Sequence, residues 1–436
     1  TYQNHKNMNL LIKSARIIDT NSKYHKKIMD IFIKDGKIEK IAKSIKSCKE
    51  SLKAGKEIEF SDKNLHVSTG WMDMHSNFRE PGFEYKDDLE TGIKSAIKGG
   101  FTSVLLMPQT EPVIDTKSHV EYIKNNTKGS VVDVHTSGSI TKKIEGNDLV
   151  EMHDMNSVNC RTFTDDKKSV NRNEVMKLAL LYSKDFGGLI MNYPNDKSIA
   201  NGGTMNEGIS STNLGLKGIS SIAEEIMVDR DLNLAKYTEG NLHLSYISTK
   251  ESVNKIKRAK KEGVNITADV SINNLVMTDE KVKTFDTRYK VLPPLRTKKD
   301  NTALIKGLKN GTIDVICSDH SPEDEENKKT EFDNAAFGIL GLETLFGLLG
   351  KHLSNDLTIE EIVEKISTNP RRIALKEELK IEEGQIANIT LFNPDVEWEV
   401  TKSDIKSKSR NTPFVGETLK GKALAVYNNN QFIFID

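Results

Sequence analysis

GWMDMHSNFREPGFEYKDDLETGIKSAIKGGFTSVLLMP, residues 70–108, reads as a short apolar strand, a polar loop, a helix-like segment and a second apolar strand. The same unit recurs outward from it. Further strand candidates are VVDVHTSG (131–138), NCRTFTDD (159–166), GLIMNYP (188–194), NLHLSYIS (241–248), VNITADVS (264–271) and TIDVICSDH (312–320). Between them lie helix-like segments such as EVMKLALLYSKDFGG (174–188), SSIAEEIMVDRDLNLAKYTEG (220–240) and TKESVNKIKRAKKEG (249–263). Eight strands alternating with helices predict an α/β fold, a closed parallel (β/α)8 or TIM barrel. An open doubly wound sheet is the alternative. The number of units and the lack of a GxGxxG turn after any strand argue against it.

Both ends of the chain are different. NLLIKSARIID (9–19), KIMDIFIKDGKIEKIA (27–42) and KEIEFSDKNLHVS (56–68) read as short strands, with KDGK as a hairpin signal. ANITLFNPDVEWEV (387–400) and LKGKALAVYNNNQFIFID (419–436) read the same way. Neither end could bury a face alone, so the two are expected to share one small β-domain. The expected division is 1–66 and 385–436 for the two parts of that domain, and 67–384 for the barrel. The first seven residues are expected to be extraneous or disordered.

Of the 436 residues, 36% are hydrophobic and 29% charged, with 63 basic and 63 acidic side chains. That balance points to a soluble globular chain and to neither nucleic acid nor a membrane surface as partner. No apolar run reaches the roughly 18 residues of a membrane span, and the start lacks the pattern of a secretory signal. Three widely spaced cysteines (Cys48, Cys160, Cys317) argue against a disulfide framework and for a reducing, cytoplasmic setting. The run KSIKSCKESLKAGKE is most simply a solvated face.

In such a barrel, chemistry belongs to the C-terminal strand ends and the loops after them. That rule selects His75, Asn77 and Arg79 after the first strand and Gln109 after the second. It selects Asp165 and Asp166 after the fourth, Tyr193 after the fifth, Tyr246 after the sixth, and Asp319, His320 and Glu323 after the eighth. On residue type alone, a lone His75 reads as a satisfied core histidine. His320 reads as a hydrogen-bonded structural residue, and His135 and His243 as mid-strand residues packed in the barrel.

DMHSNFREPG (73–82) with MPQT (107–110) resembles the signature of dihydroorotases in the amidohydrolase superfamily, where the strand reads D-x-H-x-H-x-R-E/D-P-G and the loop M-P-N-T. FTDD, NEGISSTNLGLKGISSIAEE, ISTKESVNKIKRAKKEG, PPLR, GTIDVICSDHSPE, FGILGLET and KSRNTPFVGETLKGK follow in the family's order. The likeness runs from about residue 9 to the end of the sequence given. It implies a TIM barrel of the metal-dependent hydrolase type and the interconversion of dihydroorotate and N-carbamoyl-aspartate. In the family two zinc ions hold a hydroxide that attacks the ring carbonyl, a nucleophile available near pH 7 because the metal lowers the pKa of its water.

The residues depart from that pattern. His75 stands at the first histidine ligand and Asn77 at the second. Asp166 matches the bridging carboxylate, and Asp319 matches the aspartate that binds metal and shuttles the proton. Tyr193 and Tyr246 replace the histidines after the fifth and sixth strands. Among the substrate contacts Arg79 matches, Gln109 replaces an asparagine, Glu323 a histidine, and Leu292 another polar contact. FTDD offers no lysine at the position where hydantoinase and allantoinase relatives carry a carboxylated one. The expectation is a dihydroorotase homologue of pyrimidine biosynthesis with a degenerate metal site, little or no activity, and no cofactor beyond at most one weakly held zinc. The alternatives are an active dihydroorotase using one metal and a hydantoinase- or allantoinase-like hydrolase. As partners, a second copy of the chain and aspartate transcarbamoylase are expected. Arg79 is expected either to pair with Glu323 or to bind a small anion, and Tyr193 and Tyr246 to bond to Asp166, Asn77 and Asp319.

Overall fold

A computed structural model describes residues 4–6, 9–46 and 57–436. Eight parallel strands alternate with helices: β1 (Trp71–Ser76), α1 (Leu89–Gly99), β2 (Phe101–Leu106), α2 (Lys117–Asn126), β3 (Asp133–Thr136), α3 (Met152–Asn156), β4 (Thr162–Phe163), α4 (Asn173–Lys184), β5 (Leu189–Asn192), α5 (Ile222–Thr238), β6 (Leu242–Leu244), α6 (Lys250–Lys261), β7 (Ile266–Ser271), α7 (Lys298–Lys309), β8 (Val315–Cys317) and α8 (Leu345–Leu353). The strands form two continuous groups, β1–β3 and β4–β8. Single parallel bridges close the ring, Gly138 to Phe163 on one side and Ser76 to His320 on the other. This is the TIM barrel read from the sequence.

Local chemistry sets the element ends. Asp88 caps α1, its carboxylate accepting from the Thr91 N–H at 2.8 Å while Thr91 reaches back to the Asp88 N–H. Gly100 ends α1 at φ +86°, a left-handed cap where a Cβ would strike Ala423 and Trp71. Met72, Met74, Leu105, Met107, Leu189, Met191 and Val315 fill the barrel, with Ala374 closing it from the N-terminal side. A larger cluster lies between strands and helices.

The two chain ends build one nine-stranded sheet, in the order Asn4–Lys6, Gln431–Phe434, Thr418–Asn428, Ile389–Glu399, His66–Thr69, Asn9–Ile18, Ile28–Lys34, Lys37–Ala42, with Glu57–Phe60 beside Asn9–Ile18. The KDGK turn is tight, Asp35 and Gly36 both taking positive φ as a two-residue hairpin requires. For residues 4–6 the expectation of disorder is corrected, because the Asn4–Lys6 backbone pairs antiparallel with Gln431–Ile433; residues 1–3 and 7 lie outside the described residues. Cys48 and most of the lysine-rich run lie outside the described residues. Trp71 joins domain to barrel, its ring 4.5 Å from Phe346 and 5.4 Å from Phe392. The fully buried Arg371 bonds to the Gly70 carbonyl, the Thr102 hydroxyl and Glu377. Among the described residues, no helix is long and apolar enough to cross a membrane.

Candidate active site

The C-terminal ends of the strands carry a buried polar cluster. Its backbone is unusual: Arg79, Asp166, Tyr246 and Asp319 all adopt positive φ, between 50° and 63°. A left-handed non-glycine residue costs roughly 1–2 kcal/mol, and such residues gather at functional sites where surrounding contacts enforce them.

At the centre sits Asp269 on β7, fully buried. Its Oδ2 lies 2.5 Å from His75 Nε2 and 2.7 Å from His243 Nε2. Its Oδ1 accepts from the Tyr246 N–H at 2.7 Å and from the Cys317 thiol at 3.5 Å. All four lone-pair directions of the carboxylate are therefore used. His243 holds Thr267 Oγ1 at 2.7 Å through its other nitrogen, whereas His75 Nδ1 has no partner among the described residues. Burial alone would raise the pKa of Asp269, but the two imidazoles outweigh it and hold the carboxyl well below its usual range. Burial also opposes charge on His75; Asp269, with help from Asp73 and Asp166, turns the net shift upward. His75, Asp269 and Cys317 bring ligand-type atoms within 4.8 Å of one another, but as a closed hydrogen-bonded cluster.

The neighbouring carboxylates are engaged too. Lys167 Nζ stands 2.5 Å from Asp319 Oδ1, and its ammonium lies 4.8 Å from the centre of the Tyr246 ring. Burial pushes the Asp319 carboxyl up to about 6, with Lys167 pulling it back. Asp166 Oδ1 lies 3.4 Å from the Tyr246 hydroxyl. Tyr246 packs on the His75 ring at 4.2 Å and meets Tyr193 edge-on at 6.1 Å. Burial raises the pKa of both phenols, so both are neutral.

The anion-binding corner is filled from within the chain. Arg79 Nη2 donates to Glu323 Oε1 at 2.9 Å and to Ser321 Oγ at 3.2 Å, and its Nε donates to the Pro322 carbonyl. Lys86 Nζ takes the other Glu323 oxygen at 2.7 Å.

Several sequence readings are corrected here. The expected tyrosine–carboxylate network reduces to one long Tyr246–Asp166 contact; the Tyr193 hydroxyl and the Asn77 side chain have no hydrogen-bond partner among the described residues. Gln109, half-buried, joins none of these contacts. Asp319 meets Lys167. His135 is half-buried in a cavity wall rather than packed in the barrel. His320 is buried, with weak contacts from the Gly341 and Leu342 N–H groups at 3.4 and 3.5 Å. Sequence reasoning missed Lys167, Lys86 and Asp269 and gave His243 no role. Lys167 follows FTDD directly, so strand-end position could have flagged it. Lys86 lies seven residues past Arg79, and only the folded loop brings it to Glu323.

Two zinc ions do not fit this donor set. Three of the six expected ligand positions carry Asn77, Tyr193 and Tyr246. A neutral phenol or amide is a poor zinc ligand beside imidazole, carboxylate or thiolate. His75, Asp166 and Asp319 each meet a side chain of the protein through one atom, and the Lys167 ammonium adds positive charge beside Asp319.

Comparison with known proteins identifies the lineage. A family profile described as Dihydro-orotase-like matches residues 66–252. A dihydroorotase of Acetivibrio thermocellus is 40% identical over 97% of this chain and 98% of its own length. One of Caldicellulosiruptor saccharolyticus is 41% identical over 97% and 98%. This chain belongs to the dihydroorotase family. The fold is shared more widely: an L-hydantoinase of Arthrobacter aurescens superposes with a TM-score of 0.81 at 21% identity, covering 97% of this chain and 95% of that one. Within this dihydroorotase-family barrel, the cluster around Asp269, Asp319 and Glu323 occupies the end where the family's chemistry is expected.

Proposed function

We propose that this dihydroorotase-family chain is a non-catalytic member with a structural role in pyrimidine biosynthesis. One observation carries the reading: two of the three side chains left at expected ligand positions are held by another part of the protein, His75 by Asp269 and Asp319 by Lys167, and the third, Asp166, makes one long contact with Tyr246. Without a metal-activated water the reaction lacks its nucleophile, and each 1.36 kcal/mol of lost transition-state stabilisation is about tenfold in rate. The Arg79–Glu323–Lys86 cluster supports the same reading, because a substrate carboxylate would have to displace Glu323 from both cations. The role would be exercised in the cytoplasm, through a second copy of the chain or through aspartate transcarbamoylase.

The active-enzyme alternative, with one zinc on His75, Asp166 and Asp319, draws support from the retained left-handed backbone at Asp166 and Asp319. It requires Lys167 and Asp269 to release their partners. A hydantoinase-type activity has less behind it, since the lysine that does reach the mouth, Lys167, sits there as an ammonium paired with Asp319. The test is turnover of dihydroorotate and of N-carbamoyl-aspartate by the purified chain, with and without added zinc, alongside metal analysis. The expected outcome is no turnover above background and less than one zinc per chain after dialysis. A kcat in the ordinary enzyme range of roughly 1–10³ s⁻¹, or two zinc ions per chain, overturns the proposal.

A further inference from the structure

A cavity lies away from the mouth. It enters the barrel wall between β3 and β4 and has a volume of about 620 Å³, within the roughly 300–1,000 Å³ of small-molecule sites. Its origin is topological. β4 contributes only Thr162 and Phe163 to the sheet, and β3 meets it through the single Gly138–Phe163 bridge. Below that bridge the two strands share no ladder, and the wall opens. The rim is built by the segments preceding β3 and β4, so the opening is at the end of the barrel opposite the Asp269 cluster.

The lining sorts into charged and apolar parts. Lys124, Lys128 and Arg161 stand on the rim, and none makes a side-chain ion pair or hydrogen bond among the described residues. The two acids present are already satisfied. Asp133 accepts from the Asn428 and Asn429 amides, each at 2.8 Å, and Glu377 pairs with the buried Arg371 at 2.6 Å. With Glu377 offset by Arg371 and Asp133 still anionic, the three cations leave the lining net positive. Deeper in, the wall is Leu105, Ala374 and Leu375, with the His135 imidazole beside them and no hydrogen bond to its ring. Ala374 and Leu375 belong to a π-helical turn, Arg371–Leu375, a geometry common at functional sites.

We propose that this cavity is a ligand site for a phosphate ester of a heterocycle, of nucleoside monophosphate size. The phosphate would sit among Lys124, Lys128 and Arg161, where guanidinium and ammonium groups suit its geometry and charge. The planar base would enter between His135 and the aliphatic wall, where the imidazole can both stack and hydrogen-bond. The site shares no residue with the mouth, so it stands whether or not the chain proves non-catalytic.

Titration calorimetry and thermal melting of the full chain test it, using uridine and adenosine 5′-monophosphates against uridine, adenosine and inorganic phosphate. At least one monophosphate should bind saturably and raise Tm, with nucleoside and phosphate alone at least tenfold weaker. The triple variant Lys124→Ala, Lys128→Ala, Arg161→Ala changes only exposed side chains and should melt like the parent without ligand, yet bind at least tenfold more weakly. Hydrogen exchange should show ligand protection in residues 124–136 and 159–162. No binding at millimolar concentration, equal binding of inorganic phosphate, an unaffected triple variant, or protection confined to the Arg79–Glu323 corner would each overturn the proposal.

Discussion

At the mouth of the barrel three buried carboxylates have charged or imidazole partners from the same chain: Asp269 two imidazoles, Asp319 the Lys167 ammonium, Glu323 both Arg79 and Lys86. At the opposite end three cations face an open cavity without an ion pair among the described residues, while Asp133 and Glu377 there bond to amides and to Arg371. One end has become self-sufficient and the other has not. Self-sufficiency is visible as closed pairs of opposite charge under low exposure. Unmet need is visible as charge without a counterion beside empty volume. A buried charge is tolerated only when paired or hydrogen-bonded, and at the mouth other groups of the same chain supply those partners.

The largest effect should come from removing that supply. Lys167→Met leaves the buried Asp319 without its cation, and breaking such a pair costs about 3–5 kcal/mol; a loss of about 3 kcal/mol in urea unfolding is expected, given that Lys167 is 13% exposed. If the ammonium stands in for a metal charge, zinc should raise the Tm of this variant and leave the parent unmoved. The combination Asn77→His, Tyr193→His, Tyr246→His on that background should strengthen the zinc response before any dihydroorotate turnover appears. A parent that responds to zinc as strongly as the variant would break the comparison. Cys317→Ser then separates the two sites, abolishing the response if the ion sits with His75 and Asp269.

A comparable effect, spread over pH, is expected from Lys328, beside the mouth. It is buried and donates to the Ala336 and Gly338 carbonyls at 2.8 and 3.0 Å. Burial pushes its ammonium down to about 7. Above that pH the folded chain holds Lys328 neutral while the unfolded chain still binds the proton, up to the ordinary lysine pKa of about 10.4. The unfolded state binds more protons in that window, so this group's contribution to stability rises from about pH 7 to pH 10. The expected size is on the order of 3 kcal/mol. The stability difference between the parent and Lys328→Met, measured in urea at pH 6.5 and 9.5, should shift in the parent's favour at high pH. A pH-independent difference would show that Lys328 is charged throughout.

The smallest effect should separate the two tyrosines. Tyr193→Phe removes a hydroxyl with no hydrogen-bond partner among the described residues and should change stability by less than about 0.5 kcal/mol. Tyr246→Phe removes the contact to Asp166 and should cost about 1 kcal/mol. Equal costs would restore the symmetric tyrosine network expected from the sequence.

The sequence by itself determined the barrel, the joining of both chain ends in one β-domain, the lineage, and which positions had changed. Period-2 strands, helical segments and ordered motifs are local signals, and each survives in one dimension. The Arg79–Glu323 pairing was also within reach, because a buried arginine needs an acid and the acid lay at a neighbouring strand end. Tertiary structure alone decided which groups meet the side chains at the expected ligand positions. Lys167 and Asp319 are separated by 152 residues, and His75 and Asp269 by 194. Nothing in either local pattern announces its partner. The opening between β3 and β4 was equally hidden, since it follows from where two strands stop pairing. The strand motifs say which residues can line a mouth. Only closure of the ring fixes which charges meet within hydrogen-bond distance, because the strength of each pair depends on a separation and a burial that exist only in the folded chain.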